Sequence, residues 1–144
     1  MSKFANGLYV IKNPAKYVGK TTPRYRSGWE HAFMRFCDTN DNILQWASES
    51  INIPYRNPIT GKQSIYVPDF FITYRTKNNT MIAELVEIKP KKQSIIESKA
   101  MSMRDRAVVA VNHAKWAAAK AYCGQQGYTF RVITEEDLFY NGRR

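Results

Sequence analysis

Met81-Ile82-Ala83-Glu84-Leu85-Val86-Glu87-Ile88-Lys89 is an apolar run with three charged side chains set into it. Its length and β-branched content read as a strand that ends at Pro90. With the strand period of two, Glu87 and Lys89 share a face, their backbones roughly 7 Å apart. Glu84, Val86 and Ile88 point the other way. A carboxylate and an ammonium on an otherwise apolar strand cost free energy unless they are paired or used. An edge-strand salt bridge would satisfy them. A reacting centre would too, and the preceding strand bears on the choice.

That strand, Ser64 to Arg75, contains Ile65-Tyr66-Val67-Pro68-Asp69-Phe70-Phe71-Ile72, with Asp69 as a lone acid. Pro68 has no N–H and marks a bulge or an edge. Lys77-Asn78-Asn79 reads as the hairpin turn, and counting back from it pairs position 69 with about position 87. Two carboxylates side by side repel unless a cation sits between them. Hard oxygen ligands suit Mg²⁺ or Mn²⁺. A neighbouring lysine can orient or deprotonate a water and stabilise charge developing on a phosphate.

Outward from this hairpin, Ser27 is expected to cap a helix running to about Cys37, with Trp29, Phe33 and Phe36 as its buried stripe. Asp38 to Asn42 reads as a loop, Ile43 to Tyr55 as mostly extended, and Asn57 to Lys62 as a turn. Lys91 to Arg106 is polar and reads as loop or short helix. Ala107 to Gln125 is a strong helix that Gly124 or Gly127 can end, with Trp116 in its core-facing part. Tyr128 to Ile133 is a short strand, and Thr134 is expected to cap a last short helix. The expected fold is α/β, a small mixed β-sheet core flanked by α-helices. The 144 residues are expected to form a single domain, with 1–26 an extended basic arm and 27–144 the core.

With 22 Lys plus Arg against 12 Asp plus Glu, the net charge of +10 favours a polyanionic partner, nucleic acid first and anionic membrane second. A soluble domain that happens to be basic is the plainer reading. The distribution argues for nucleic acid: Lys3, Lys12, Lys16, Lys20, Arg24 and Arg26 precede the first acid, with Tyr9, Tyr17 and Tyr25 between them. No apolar stretch reaches the roughly 20 residues of a membrane span, and no h-region follows the N-terminal charge. Cys37 and Cys123 form no metal-type pair and no disulfide framework, which suits a reducing cytoplasm. His31 and His113 have no ligand spacing and read as ordinary histidines.

Pro68-Asp69 followed by Glu87-Ile88-Lys89 resembles the PD-(D/E)xK nuclease signature, which is short and arises often by chance. Glu30, beside the apolar stripe of the first helix, fits by type and order the glutamate that completes the metal site in that superfamily, often through water. A helix-start glutamate favoured by the macrodipole is the alternative. The resemblance extends to Arg26-Ser27-Gly28-Trp29-Glu30, Gln45-Trp46-Ala47-Ser48-Glu49, Ile53-Pro54-Tyr55, Tyr66-Val67-Pro68-Asp69-Phe70 and Glu87-Ile88-Lys89-Pro90-Lys91-Lys92. Val111 to Ala118 and Thr134 to Leu138 continue it in the same order. This series resembles the head completion nucleases of T-even-like tailed phages and, more distantly, the endonuclease subunit of heteromeric transposases.

The resemblance implies a restriction-endonuclease-like fold, DNA cleavage, and action in head completion and head–tail joining. It implies Asp69, Glu87, Glu30 and the Ile88 carbonyl as ligands of Mg²⁺ or Mn²⁺, with Lys89 acting on the water. Glu49 and Lys115 are auxiliary candidates, although Glu49 reads more readily as a salt-bridged or solvated acid and Lys115 equally well as a solvated lysine. Lys12, Lys16, Lys20, Arg24, Arg26, Lys91 and Lys92 are candidates for phosphate contact. Double-stranded DNA and head–neck or portal proteins are the expected partners, in the host cell cytoplasm during phage assembly or on the virion. A homodimer would serve symmetric double-strand cutting. A non-enzymatic DNA-binding head–neck protein and a transposase-type endonuclease subunit are the competing readings.

Overall fold

The computed structural model describes residues 6–89 and 102–134. Its centre is a four-stranded mixed sheet. Among the described residues the strands are β1 (Gly7–Leu8), β2 (Arg24–Tyr25), β3 (Ile43–Ser48), β4 (Ile53–Arg56), β5 (Gln63–Tyr66), β6 (Phe70–Arg75), β7 (Met81–Ile88) and β8 (Thr129–Ile133), and the α-helices are α1 (Gly28–Thr39) and α2 (Met103–Gln126). The central sheet has the order β3-β6-β7-β8, antiparallel except for the β7–β8 pair. A parallel neighbour requires a crossover, and α2 supplies it. The result is the mixed α/β arrangement expected, compatible with a restriction-endonuclease-like fold.

Among the described residues α1 and α2 cover opposite faces of the sheet, because the strands alternate two apolar sets. On one face Phe33, Met34 and Cys37 of α1 pack on Trp46, Phe70, Ile72, Val86 and Ile133. On the other, Ala119 and Cys123 of α2 pack with Leu85, and Phe71 and Phe130 join them. The α1 stripe therefore centres on Phe33, Met34 and Cys37, with Phe36 at its edge and Trp29 only half-buried.

Three element assignments need correction. Ser64 to Arg75 is two strands, not one. β5 pairs with β4 in a separate hairpin, and β6 begins a new pairing after a break at Val67-Pro68-Asp69. Pro68 is fully buried and has no N–H to continue a ladder, so the chain changes partner there. Asp38 and Thr39 belong to α1, not to the loop that follows. The long helix starts at Met103, because Ser102 caps it by accepting from the Asp105 N–H at 3.1 Å. It ends at Gly127, in the left-handed region with φ of 76°, where a glycine carries no Cβ penalty.

Residues 6–26 of the basic N-terminal segment pack on the core. Tyr9 is buried beside Trp46 and α1, and β1 pairs with β2. Asp38 is fully buried at the C-terminal end of α1, where a negative charge is disfavoured by the helix dipole. The segment supplies its donors: the Tyr9 hydroxyl at 2.8 Å and the backbone N–H groups of Lys12 and Asn13 at 2.8 and 3.0 Å. Burial raises the Asp38 pKa, but these donors outweigh it and hold the carboxyl below its usual range. The Lys16 ammonium donates to the carbonyl of Asn40 at 2.7 Å. Lys12, Lys20 and Arg24 remain exposed.

Candidate active site

The site forms at one end of the central sheet, where β3, β6 and β7 run out in register. Phe70 pairs with Val86, so Asp69 comes opposite Glu87, as the hairpin count expected. The Ile88 N–H donates to Asp69 Oδ2 at 2.8 Å. A strand residue's N–H and C=O point to the same side, so the Ile88 carbonyl also opens toward Asp69. On the other flank the Glu49 N–H donates to the Asp69 carbonyl at 2.9 Å. Glu49, Asp69 and Glu87 thus follow one another across three strands.

Glu30 reaches this row from the start of α1. Ser27 accepts from the Glu30 N–H at 3.1 Å, and Glu30 Oε1 accepts from the Arg26 N–H at 3.4 Å. This capping-box-like pair fixes the glutamate on the first turn. The charge of Glu30 is felt by both Asp69 and Glu87. Glu30 thus serves the helix start, and its charge acts on the carboxylate pair.

The electrostatics mark the pair. Burial, and then the charge of Glu87, push the Asp69 carboxyl well above the usual range. Burial likewise raises Glu87, against the lowering effects of the Tyr66 hydroxyl, the Asp69 N–H and the Lys115 ammonium. Glu87 Oε1 is buried with no hydrogen-bond partner among the described residues. Two half-buried carboxylates set opposite each other on paired strands favour either a shared proton or a cation.

Lys89 shares the Glu87 face and is 5% exposed. Its ammonium stands 4.8 Å from the ring centroid of Trp116 on α2, and its N–H donates to the Ile133 carbonyl at 2.8 Å. The Lys115 ammonium lies 5.8 Å from the ring centroid of Tyr66. Trp116 and Tyr66 belong to the site although neither was expected there. Trp116 had read as plain core, and Tyr66 could have been found from its place three residues before Asp69. Arg26, expected on phosphate, forms an ion pair with Glu49. Lys91 and Lys92 lie outside the described residues, as does the helix expected after Thr134.

The donor set suits a hard divalent ion: two carboxylates, one of which has an orphaned buried oxygen, and one oriented carbonyl. Among the described residues no three His, Cys, Asp or Glu side chains converge as a complete cage. Mg²⁺ commonly keeps several waters and takes one or two protein carboxylates, so the pair with Ile88 fits it.

The TnsA-like endonuclease N-terminal family matches residues 40–135, which span β3 through β8 and hold Asp69, Glu87 and Lys89. The head completion nuclease of Enterobacteria phage T4 is 33% identical over 143 aligned residues, covering 92% of this chain and 93% of that protein. No solved structure matches. The carboxylate pair, its lysine and the sheet that aligns them thus lie within the matched region, and the chain belongs to the TnsA-like endonuclease family, with the T4 head completion nuclease among its relatives.

Proposed function

We propose that this protein is a divalent-metal-dependent deoxyribonuclease that finishes DNA-filled phage heads before tails join. One observation carries the chemistry: the Phe70–Val86 register sets Asp69 against Glu87 in a half-buried, mutually repelling pair, with Lys89 on the same face. Asp69, Glu87 and the Ile88 carbonyl would hold Mg²⁺ or Mn²⁺, with Glu30 acting through a water. The ion supplies Lewis-acid stabilisation of the charge that develops on the phosphate and the leaving oxygen.

The protein's own groups do the rest. Trp116 fixes the Lys89 ammonium over its ring and keeps it dry, so the lysine can hold a water in line with phosphorus or take its proton. Lys115, on the adjacent helix, is placed to meet a phosphate oxygen. Exposed Lys12, Lys20 and Arg24 provide affinity for double-stranded DNA that needs no base contact and falls with salt. Sequence preference is then weak, and exposure of DNA at the portal selects the substrate. Intact acid and lysine positions speak against a non-enzymatic plug.

The assembly role rests on the T4 relative and is tested by infection with phage carrying Asp69→Asn or Lys89→Ala. DNA-filled heads and separate complete tails should accumulate, and added wild-type protein should restore joining in the extract. Normal infectious yield from either variant overturns the assembly role.

A further inference from the structure

Glu49 sits at the mouth of the site with φ of 48°, in the left-handed region that side chains other than glycine, asparagine and aspartate seldom adopt. Such a residue persists only when its surroundings hold it there. Its N–H is tied to the Asp69 carbonyl at 2.9 Å, and its carboxylate is in an ion pair with Arg26. Arg26 lies at the junction of β2 and α1, where its own N–H faces Glu30 Oε1 at 3.4 Å. The Arg26 guanidinium also feels the charges of Glu30 and Asp69. One basic side chain therefore answers three of the four acids at the mouth.

We propose that Arg26 and Glu49 form a charge latch in which the guanidinium serves as the counter-ion of the carboxylates until a divalent ion takes over that role. The inference rests on the metal site proposed above. The left-handed turn aims Glu49 outward over the Asp69 strand end, where it can hold Arg26. With the ion in place, a second cation beside it is unfavourable, and Arg26 is released. Its planar fork is then available to a backbone phosphate, with which it can form two parallel bonds. Ion binding and phosphate binding are thereby coupled, and by linkage each strengthens the other.

The Arg26 side chain is 57% exposed, so its removal should leave folding intact, and screening limits the electrostatic effect. Calorimetric titration of the DNA-free protein with Mn²⁺ provides the test, with no cleavage involved. Arg26→Ala should bind Mn²⁺ on the order of fivefold more tightly than wild type, because a competing positive charge is gone. Arg26→Lys, which keeps the charge, should bind within twofold of wild type, roughly. Glu49→Gln should bind more weakly than wild type. If Arg26→Ala binds no more tightly than wild type, the latch is wrong while the metal site stands. If neither wild type nor any variant takes up Mn²⁺, the metal site and the latch both fail.

Discussion

Among the described residues, fully buried Asp38 and half-buried Asp69 are treated oppositely. Asp38 is ringed by the Tyr9 hydroxyl and the N–H groups of Lys12 and Asn13, and its carboxyl is held below the ordinary range. Asp69 accepts from the Ile88 N–H, but it faces Glu87, Glu30 and Glu49, and burial with their charge holds it well above that range. The first is a structural clamp in which every negative charge has found its donors. The second is left short of positive partners at a place where three strands end together. Burial alone does not mark a functional acid; the sign of what surrounds it does. Glu84 on β7, only three residues from Glu87, has its charge answered by an ion pair with Arg131 and accepts from the Thr129 hydroxyl, each at 3.0 Å.

The comparison breaks most visibly in catalysis. Lys89→Ala and Asp69→Asn should each lower the rate of DNA cleavage by about 10³-fold or more, roughly 4 kcal/mol in the barrier. Asp38→Asn should leave the rate per folded molecule near wild type. Cleavage by Lys89→Ala within about tenfold of wild type would remove the lysine from the site.

Stability should invert the order. Asp38→Ala leaves Tyr9 and two backbone donors without their acceptor, and should cost about 2–4 kcal/mol in urea unfolding. Asp69→Asn should stabilise the ion-free protein at neutral pH, because it removes a charge that the fold disfavours.

The pH dependence has opposite signs at the two sites. The Asp69 and Glu87 pKa values are raised in the fold. Their contribution is therefore fully present below the ordinary carboxylate value of about 4 and is lost as pH rises through the folded values. The Asp38 value is depressed, so its contribution is present above about pH 4 and is lost as pH falls through the folded value. Unfolding across pH should show a loss on the alkaline side that Asp69→Asn flattens, and a loss on the acid side that Asp38→Asn flattens.

Mg²⁺ should restore part of what ionisation removes. At about a hundredfold excess over its dissociation constant it should add about 2.7 kcal/mol at neutral pH, and little to Asp69→Asn. A smaller effect belongs to the helix that carries Glu30: Ser27→Ala should cost about 1 kcal/mol through loss of the cap.

The parts of this arrangement that depend on near neighbours were legible in the sequence. The Lys77-Asn78-Asn79 turn, where Asn79 takes φ of 64°, fixes the hairpin count and so the meeting of Asp69 with Glu87. Ser27 and Glu30 announce the start of α1 through their own spacing. What was hidden depends on distant segments. Asp38, in the polar run Asp-Thr-Asn-Asp-Asn, read as loop because its donors come from residues 9–13, far upstream. Lys89 gained its aromatic support from Trp116 only once the crossover laid α2 on the sheet. Arg26 carried a charge suited to phosphate, and no local pattern showed that Glu49 would meet it.

The proposed function requires Asp69 and Glu87 to hold a divalent ion beside Lys89 for DNA cleavage. Supercoiled plasmid offered to the purified protein tests it most directly, with Mg²⁺, with Mn²⁺, and with excess chelator, beside Asp69→Asn under the same conditions. Wild type should nick or digest the plasmid with either ion and not with chelator, and Asp69→Asn should not cleave although it still retards the DNA in a gel. Cleavage that survives the chelator, or that Asp69→Asn performs as well as wild type, would contradict the proposed function.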